Sequence, residues 1–196
     1  MNYKTTRSLA PSAVALIASI ALAGCSGAST EKPSATATAT ATPTATASSF
    51  SGADIMFAQM MIGHHQQAVD MGTLAETRAK SPEVKALAAK IKAEQAPEIA
   101  QMKGWLKAAN APLEMGHDMG MGGMLTAKQM NALKNASGAE FDKLYITGMI
   151  GHHQGAIHMA EMVVDSNNAE ASKLGKAIIA SQTAQVAYLQ KLLANY

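Results

Sequence analysis

The residues with the most chemical potential are four histidines in two adjacent pairs. Met61-Ile62-Gly63-His64-His65-Gln66-Gln67-Ala68-Val69-Asp70-Met71 recurs 88 positions later as Met149-Ile150-Gly151-His152-His153-Gln154-Gly155-Ala156-Ile157-His158-Met159, with eight of eleven residues identical. Thioether and imidazole three or four residues apart on a helix share one face and can reach one ion. Adjacent histidines diverge by about 100°, so both members of a pair are not expected on the same metal. One is a ligand candidate and its neighbour an orienting group or part of a second site. The plain alternative makes each His a hydrogen-bonded core residue and each Met a core filler. Duplication of the whole His/Met set favours metal binding.

A second constellation is Met115-Gly116-His117-Asp118-Met119-Gly120-Met121-Gly122-Gly123-Met124. Its glycines disfavour a helix, so a core-facing Met stripe is hard to build. Met115, Met119, Met121 and Met124, with His117, can instead wrap a soft ion. Thioether suits Cu(I), and imidazole accepts Cu(I), Cu(II) or Zn, whereas Mg and Ca require oxygen ligands. Copper is therefore the expected metal, with Cu(I) favoured. A single Cys among 196 residues excludes multi-Cys zinc and iron–sulfur sites. The one Glu-x-x-His, Glu114 to His117, falls in the Gly-rich connection, whereas a di-iron oxidase carries the motif on two bundle helices, which argues against that class. A formal charge of +2 gives no basis for nucleic-acid binding.

Helices are needed to position these groups. Aromatic residues make up only 4% of the chain, which disfavours a large sheet structure. The repeat extends upstream to Asp54/Asp142 and Phe57/Tyr145, the aspartates being candidates for an outer shell around a metal. After a one-residue slip, Leu87, Ile91, Gln95, Ile99, Met102 and Leu106 align with Leu174, Ile178, Gln182, Val186, Leu189 and Leu193 at helical spacing. Ser51 and Ser81-Pro82 mark two helix starts, and Asn167-Asn168 a break between helices. Ser137-x-x-Glu140 reads as a capping box, and Thr126-x-x-Gln129 as the cap of a short helix. Pro97 should kink its helix. Gly63 and Gly151 are expected to admit close helix approach, while Asp70 and His158 fall on the outer face. The expected fold is all-α: a four-helix bundle of two repeated helical hairpins with a Met-rich connecting loop.

The first 24 residues read as a signal peptide. Lys4 and Arg7 precede the apolar stretch 13–23, and Leu22-Ala23-Gly24-Cys25 resembles a bacterial lipobox, in which cleavage precedes a lipidated Cys. Residues 25–49 form an Ala/Thr-rich tether too poor in apolar groups to fold. Residues 50–196 are the bundle domain. Without Lys4 and Arg7 the remainder carries 14 basic and 14 acidic residues.

The doubled Met-Ile-Gly-His-His-Gln, each with an upstream Asp and a Gln-containing second helix, resembles the domain-of-unknown-function 305 family over residues 50–196. The resemblance implies a ferritin-like four-helix bundle, secreted or membrane-tethered, with CopM-type members that bind copper. It implicates Asp54, Met61, His64, His65 and Met71, and likewise Asp142, Met149, His152, His153 and Met159. Relatives in that family often carry Gln-x-x-Glu on the second helix of each half. Here Gln95-Ala96-Pro97-Glu98 keeps that pattern, while Gln182-Thr183-Ala184-Gln185 lacks the carboxylate.

The resulting expectation is a non-enzymatic, extracytoplasmic copper-binding lipoprotein, anchored to a bacterial membrane, that sequesters or relays Cu(I) and also takes Cu(II). Its partners would be the ion, a copper donor or acceptor protein, and a second copy of itself; the lipid provides the only membrane contact. One rival is a redox enzyme such as a cuprous oxidase, which substrate turnover by the copper-loaded protein would reveal. Another is a structural or protein-binding bundle, which would retain helicity and partner binding without the ligands.

Overall fold

The computed structural model describes residues 49–115 and 122–196. The signal peptide, Cys25 and most of the tether lie outside the described residues, as do His117, Met119 and Met121. The architecture is all-α: α1 (Gly52–Arg78), α2 (Pro82–Ala108), α3 (Ala127–Asn135), α4 (Gly138–Ala160) and α5 (Ala169–Leu193), with a short 3₁₀ turn (Glu161–Val163) extending α4. None of the described helices is long and apolar enough to cross a membrane.

Local chemistry sets the helix starts. The Ser51 hydroxyl accepts from Asp54 N–H, while the Asp54 carboxylate accepts from Ser51 N–H, closing a capping box. Ser81 caps α2 ahead of Pro82, and Asn168 accepts from the Glu170 and Ala171 amides to start α5. Thr126 and Gln129 form the reciprocal box expected for the short helix. At α4 the expected box does not form: Ser137 makes no side-chain cap bond. The chain instead enters through Gly138 at φ +68°, which glycine adopts readily. α2 continues through Pro97, which leaves the Ala93 carbonyl without its intrahelical donor.

α1 packs on α2, α4 on α5, and α1 on α4. Close approach depends on Gly72 and Gly175 rather than Gly151. A Cβ at Gly72 would lie 2.6 Å from the Lys92 stem, and one at Gly175 2.8 Å from Val163, whereas one at Gly151 would meet nothing within 4 Å. Asp70 and His158 are exposed, as expected.

Buried apolar residues form two separate clusters. One includes Ala68, Met71, Ile91, Phe141, Tyr145, Met149 and Leu189. The other includes Phe57, Met61, Met102, Ala156, Met159 and Ile178. Because Met61 shares a cluster with Met159 and Met71 shares one with Met149, α1 and α4 run in opposite directions. Between the clusters every long helix carries buried polar residues: His64 and His65 on α1, Gln95 on α2, His152 and His153 on α4, Gln182 and Gln185 on α5.

Tyr145 is the polar intruder within its apolar cluster. It is fully buried, its hydroxyl has no partner, and burial raises its pKa. The repeat equivalent Phe57 is equally buried. Tyr145→Phe should therefore raise stability by about 1 kcal/mol. A urea midpoint that falls on this substitution would show that the hydroxyl has a favourable role.

Candidate metal centre

Adjacent histidines on one helix must face different neighbours, and the structure separates their tasks. His65 turns toward α2, with Nε2 2.7 Å from a Glu98 carboxylate oxygen. His153 turns toward α5, with Nε2 2.6 Å from Gln185 Oε1. His64 and His152 face each other between α1 and α4, with ring centroids 3.8 Å apart and planes tilted by 39°. His64 Nε2 also lies 3.3 Å from the Gly122 carbonyl, contributed by the connection between the two halves.

These contacts determine which nitrogen is free. A carboxylate oxygen accepts, so His65 donates Nε2–H to Glu98, and Nδ1 is the nitrogen left without a partner. Gln185 donates its Nε2 to Glu94, at 2.5 Å, which orients its Oε1 as acceptor for His153 Nε2–H. Gly122 likewise accepts from His64. Nδ1 of His64, His65 and His153 is buried without a partner, as are both ring nitrogens of His152. Both polar atoms of Gln95 and Oε1 of Gln182 share that condition. Buried polar groups normally find partners, so eight such atoms in the zone between two apolar clusters require an occupant.

Burial is also the main cause of the electrostatic state. It lowers the His64 pKa to about 3, assisted by His65 and His153 and opposed by the Gly122 hydrogen bond. Burial pulls His152 well below its ordinary value, with His64, His153 and His65 adding to the effect. His153 falls to about 4 through burial, partly offset by Gln185. These imidazoles are neutral at any ordinary pH, and their lone pairs need not shed a proton to bind a cation.

The four duplicated methionines, Met61, Met71, Met149 and Met159, are buried beside this zone. Met61 and Met149 lie one turn before their His pairs, about 4.5 Å along the helix axis. Met61 and Met159 fall in one apolar cluster, Met71 and Met149 in the other. Among the described residues no three His, Cys, Asp or Glu side chains converge on one ion position, so any fuller donor set must draw on sulfur, amide or backbone groups. Of the Met-rich connection, Met115 and Met124 are described, and both are partly buried.

Asp54 and Asp142 are placed away from the histidines. Asp54 closes the α1 cap. Asp142 accepts from the amides of Lys80 and Ser81, 3.0 and 2.9 Å away, and from the Tyr196 hydroxyl at 3.0 Å. It thereby ties α4 to the α1–α2 turn. Asp142→Ala should lower stability by about 2–3 kcal/mol, read as a drop in the urea midpoint; an unchanged midpoint would remove this tie. Glu94 and the Gly122 carbonyl were not legible from the motif. The sequence cue for the connection was the one polar-to-glycine departure within the repeat, Gln67 against Gly155.

An all-helical protein with a buried polyhistidine zone flanked by thioethers is the class defined by this geometry. The chain belongs to the DUF305 family (domain of unknown function), whose model matches residues 54–193. It is similar to a DUF305 protein from Streptomyces coelicolor, with 33% identity, a TM-score of 0.70 and coverage of 73% of this chain and 93% of that one. It is also similar to CopM in the Cu(II)-bound form, with 34% identity, a TM-score of 0.63 and coverage of 72% and 96%. For CopM in the Cu(I)-bound form the identity is 34% and the TM-score 0.62, with the same coverage. No curated protein matches the chain.

Proposed function

We propose that this protein is an extracytoplasmic copper-binding lipoprotein that sequesters or relays Cu(I), and accepts Cu(II) through imidazole, without bond-making catalysis. The observation that carries the reading is the buried zone in which every one of the four imidazoles keeps at least one ring nitrogen without a partner. His64 and His152 are the central donors. His65 and His153 are held by Glu98 and Gln185 with Nδ1 unpartnered, as expected of oriented ligands. Met61, Met71, Met149 and Met159 supply soft sulfur on either side, favouring Cu(I). Met115, His117, Met119, Met121 and Met124 would capture ions or hand them on. We read the four long helices as a ferritin-like bundle of two repeated hairpins that hold the donors in place.

Copper is cargo in this scheme. Similarity to copper-bound CopM supports the choice of metal. Similarity to a Streptomyces coelicolor protein described as secreted supports a place outside the cytoplasm, where Cys25 would carry the lipid and residues 25–49 the spacing. A copper donor or acceptor protein is the expected partner, and self-association is compatible with the role.

The test is competitive titration of the full chain, in detergent, with Cu(I) against a chromophoric chelator. Stoichiometric removal of Cu(I) from the chelator is expected. Failure to draw copper from even a weak chelator would exclude the reading.

A further inference from the structure

The repeated motif exchanges a carboxamide for glycine at one half-buried position, where Gln67 of α1 corresponds to Gly155 of α4. Both residues meet the same backbone segment, residues 122–125. The Gln67 carboxamide donates Nε2–H to the Leu125 carbonyl, at 3.0 Å, and accepts from the Leu125 amide, at 2.7 Å. Gly155 provides space: a Cβ there would lie 1.9 Å from the Gly122 oxygen and 2.6 Å from its carbon. Gly123, at φ +83°, rests on α4 so closely that its own Cβ would stand 2.4 Å from the Gly151 oxygen. Leu125 is buried and covers Gly148, where a Cβ would be 3.1 Å from the leucine side chain.

The segment is therefore a strap seated on α1 at two residues, Gln67 and His64, and on α4 at three. Its Gly122 carbonyl reaches His64 Nε2, while His152, the repeat counterpart, has no such partner. An exact repeat would have offered a second Gln or a second Gly at this level. A Gln in place of Gly155 would collide with the strap, and a Gly in place of Gln67 would leave Leu125 unclamped. Both departures serve one purpose.

We propose that Gln67 and Gly155 are positioning residues for metal exchange: they seat Gly122–Leu125 as a gate over the His64–His152 pair. This rests on the copper reading above. With the strap seated, the pair is sealed, and an ion enters or leaves only when Leu125 leaves Gln67 and Gly122 lifts from Gly155. Such local opening is limited by a few hydrogen bonds rather than by global unfolding. Because the strap bars both directions, loosening it speeds uptake and release together and leaves affinity nearly unchanged.

Two variants of the full chain test this by separate routes. Gln67→Ala removes the clamp, and Gly155→Ala forces the Gly122 carbonyl out. In each, hydrogen exchange of the Leu125 amide, measured without metal, should rise about tenfold, the equivalent of roughly one lost hydrogen bond. In Gln67→Ala, Cu(I) uptake from one chelator and release to a stronger one should both accelerate by about the same factor, with affinity unchanged within about threefold. In Gly155→Ala, which also takes the Gly122 carbonyl from His64, both should accelerate but release more than uptake. Faster Leu125 exchange with unaltered copper kinetics would overturn the gate while leaving the copper site intact. Faster release without faster uptake would make the strap part of the site and likewise overturn it. Unaltered Leu125 exchange would overturn the seat. A wild-type chain that takes up no Cu(I) overturns the copper reading itself, and the gate with it.

Discussion

Replacing His64 and His152 together with Leu should weaken Cu(I) binding by more than about 100-fold, beyond the loss typical of removing an outer-shell partner, and should raise the stability of the metal-free protein. The two effects have opposite signs for one reason. Three of the four nitrogens in this pair are buried without partners, and each such group costs about 1–3 kcal/mol. Leucine has no polar group to strand and joins the two apolar clusters on either side. The expected gain is about 2 kcal/mol or more, read as a higher urea midpoint without metal. Copper competition measured on the same samples gives the loss of affinity. A pair retained for structure alone would behave in the reverse manner: stability would fall, and copper competition would stay unchanged.

The second large effect is acid lability of the metal-free protein. Unfolded histidine has a pKa of 6.5, whereas His64 is held at about 3, His153 at about 4 and His152 well below its ordinary value. Below pH 6.5 the unfolded chain therefore binds protons that the folded chain refuses. Above pH 6.5 this proton linkage costs nothing, and below it the folded state is destabilised progressively as the pH falls toward the folded values. Each of the three adds a slope of about 1.4 kcal/mol per pH unit in that window. Urea unfolding between pH 7 and pH 4.5 should show a steep decline that the His64→Leu/His152→Leu protein largely loses. A flat profile in the wild type would mean that these rings are hydrated or charged in the fold. Folded protein, by contrast, should keep its copper affinity down to about pH 5, since the rings carry no competing proton.

The parts of this design that were legible in the sequence obey local rules. Ser51, Ser81 and Thr126 marked helix starts because capping depends on residues two or three positions away, and Asn167-Asn168 marked only a break, at which Asn168 proved to be the cap. The duplicated His and Met residues fell on the buried face because 3.6-residue periodicity placed them there. Ser137 failed because Gly138 entered the helix at positive φ, a backbone choice invisible in the Ser-x-x-Glu pattern. Gly151 looked like a packing glycine and was not one; Gly72 and Gly175 took that task through neighbours distant in sequence. The division of labour within each His pair also depends on tertiary contact. Only the assembled helices decide that His65 meets Glu98 while His64 meets His152. Asp54 and Asp142 are repeat partners, yet one closes its own helix cap and the other secures a turn between two other helices.

The polar zone between the two apolar clusters has a mechanical consequence. Each end of the molecule is held by its own hydrocarbon, and the waist is held by almost none. In the empty protein the waist is the weakest section, where amides should exchange before those at either end. A bound ion would stand where a core side chain stands in other helical proteins, joining the hairpins at the point where they cohere least. Stiffness at the waist would then report directly whether the protein is carrying its load, and a receiving partner could sense cargo by shape without touching the metal.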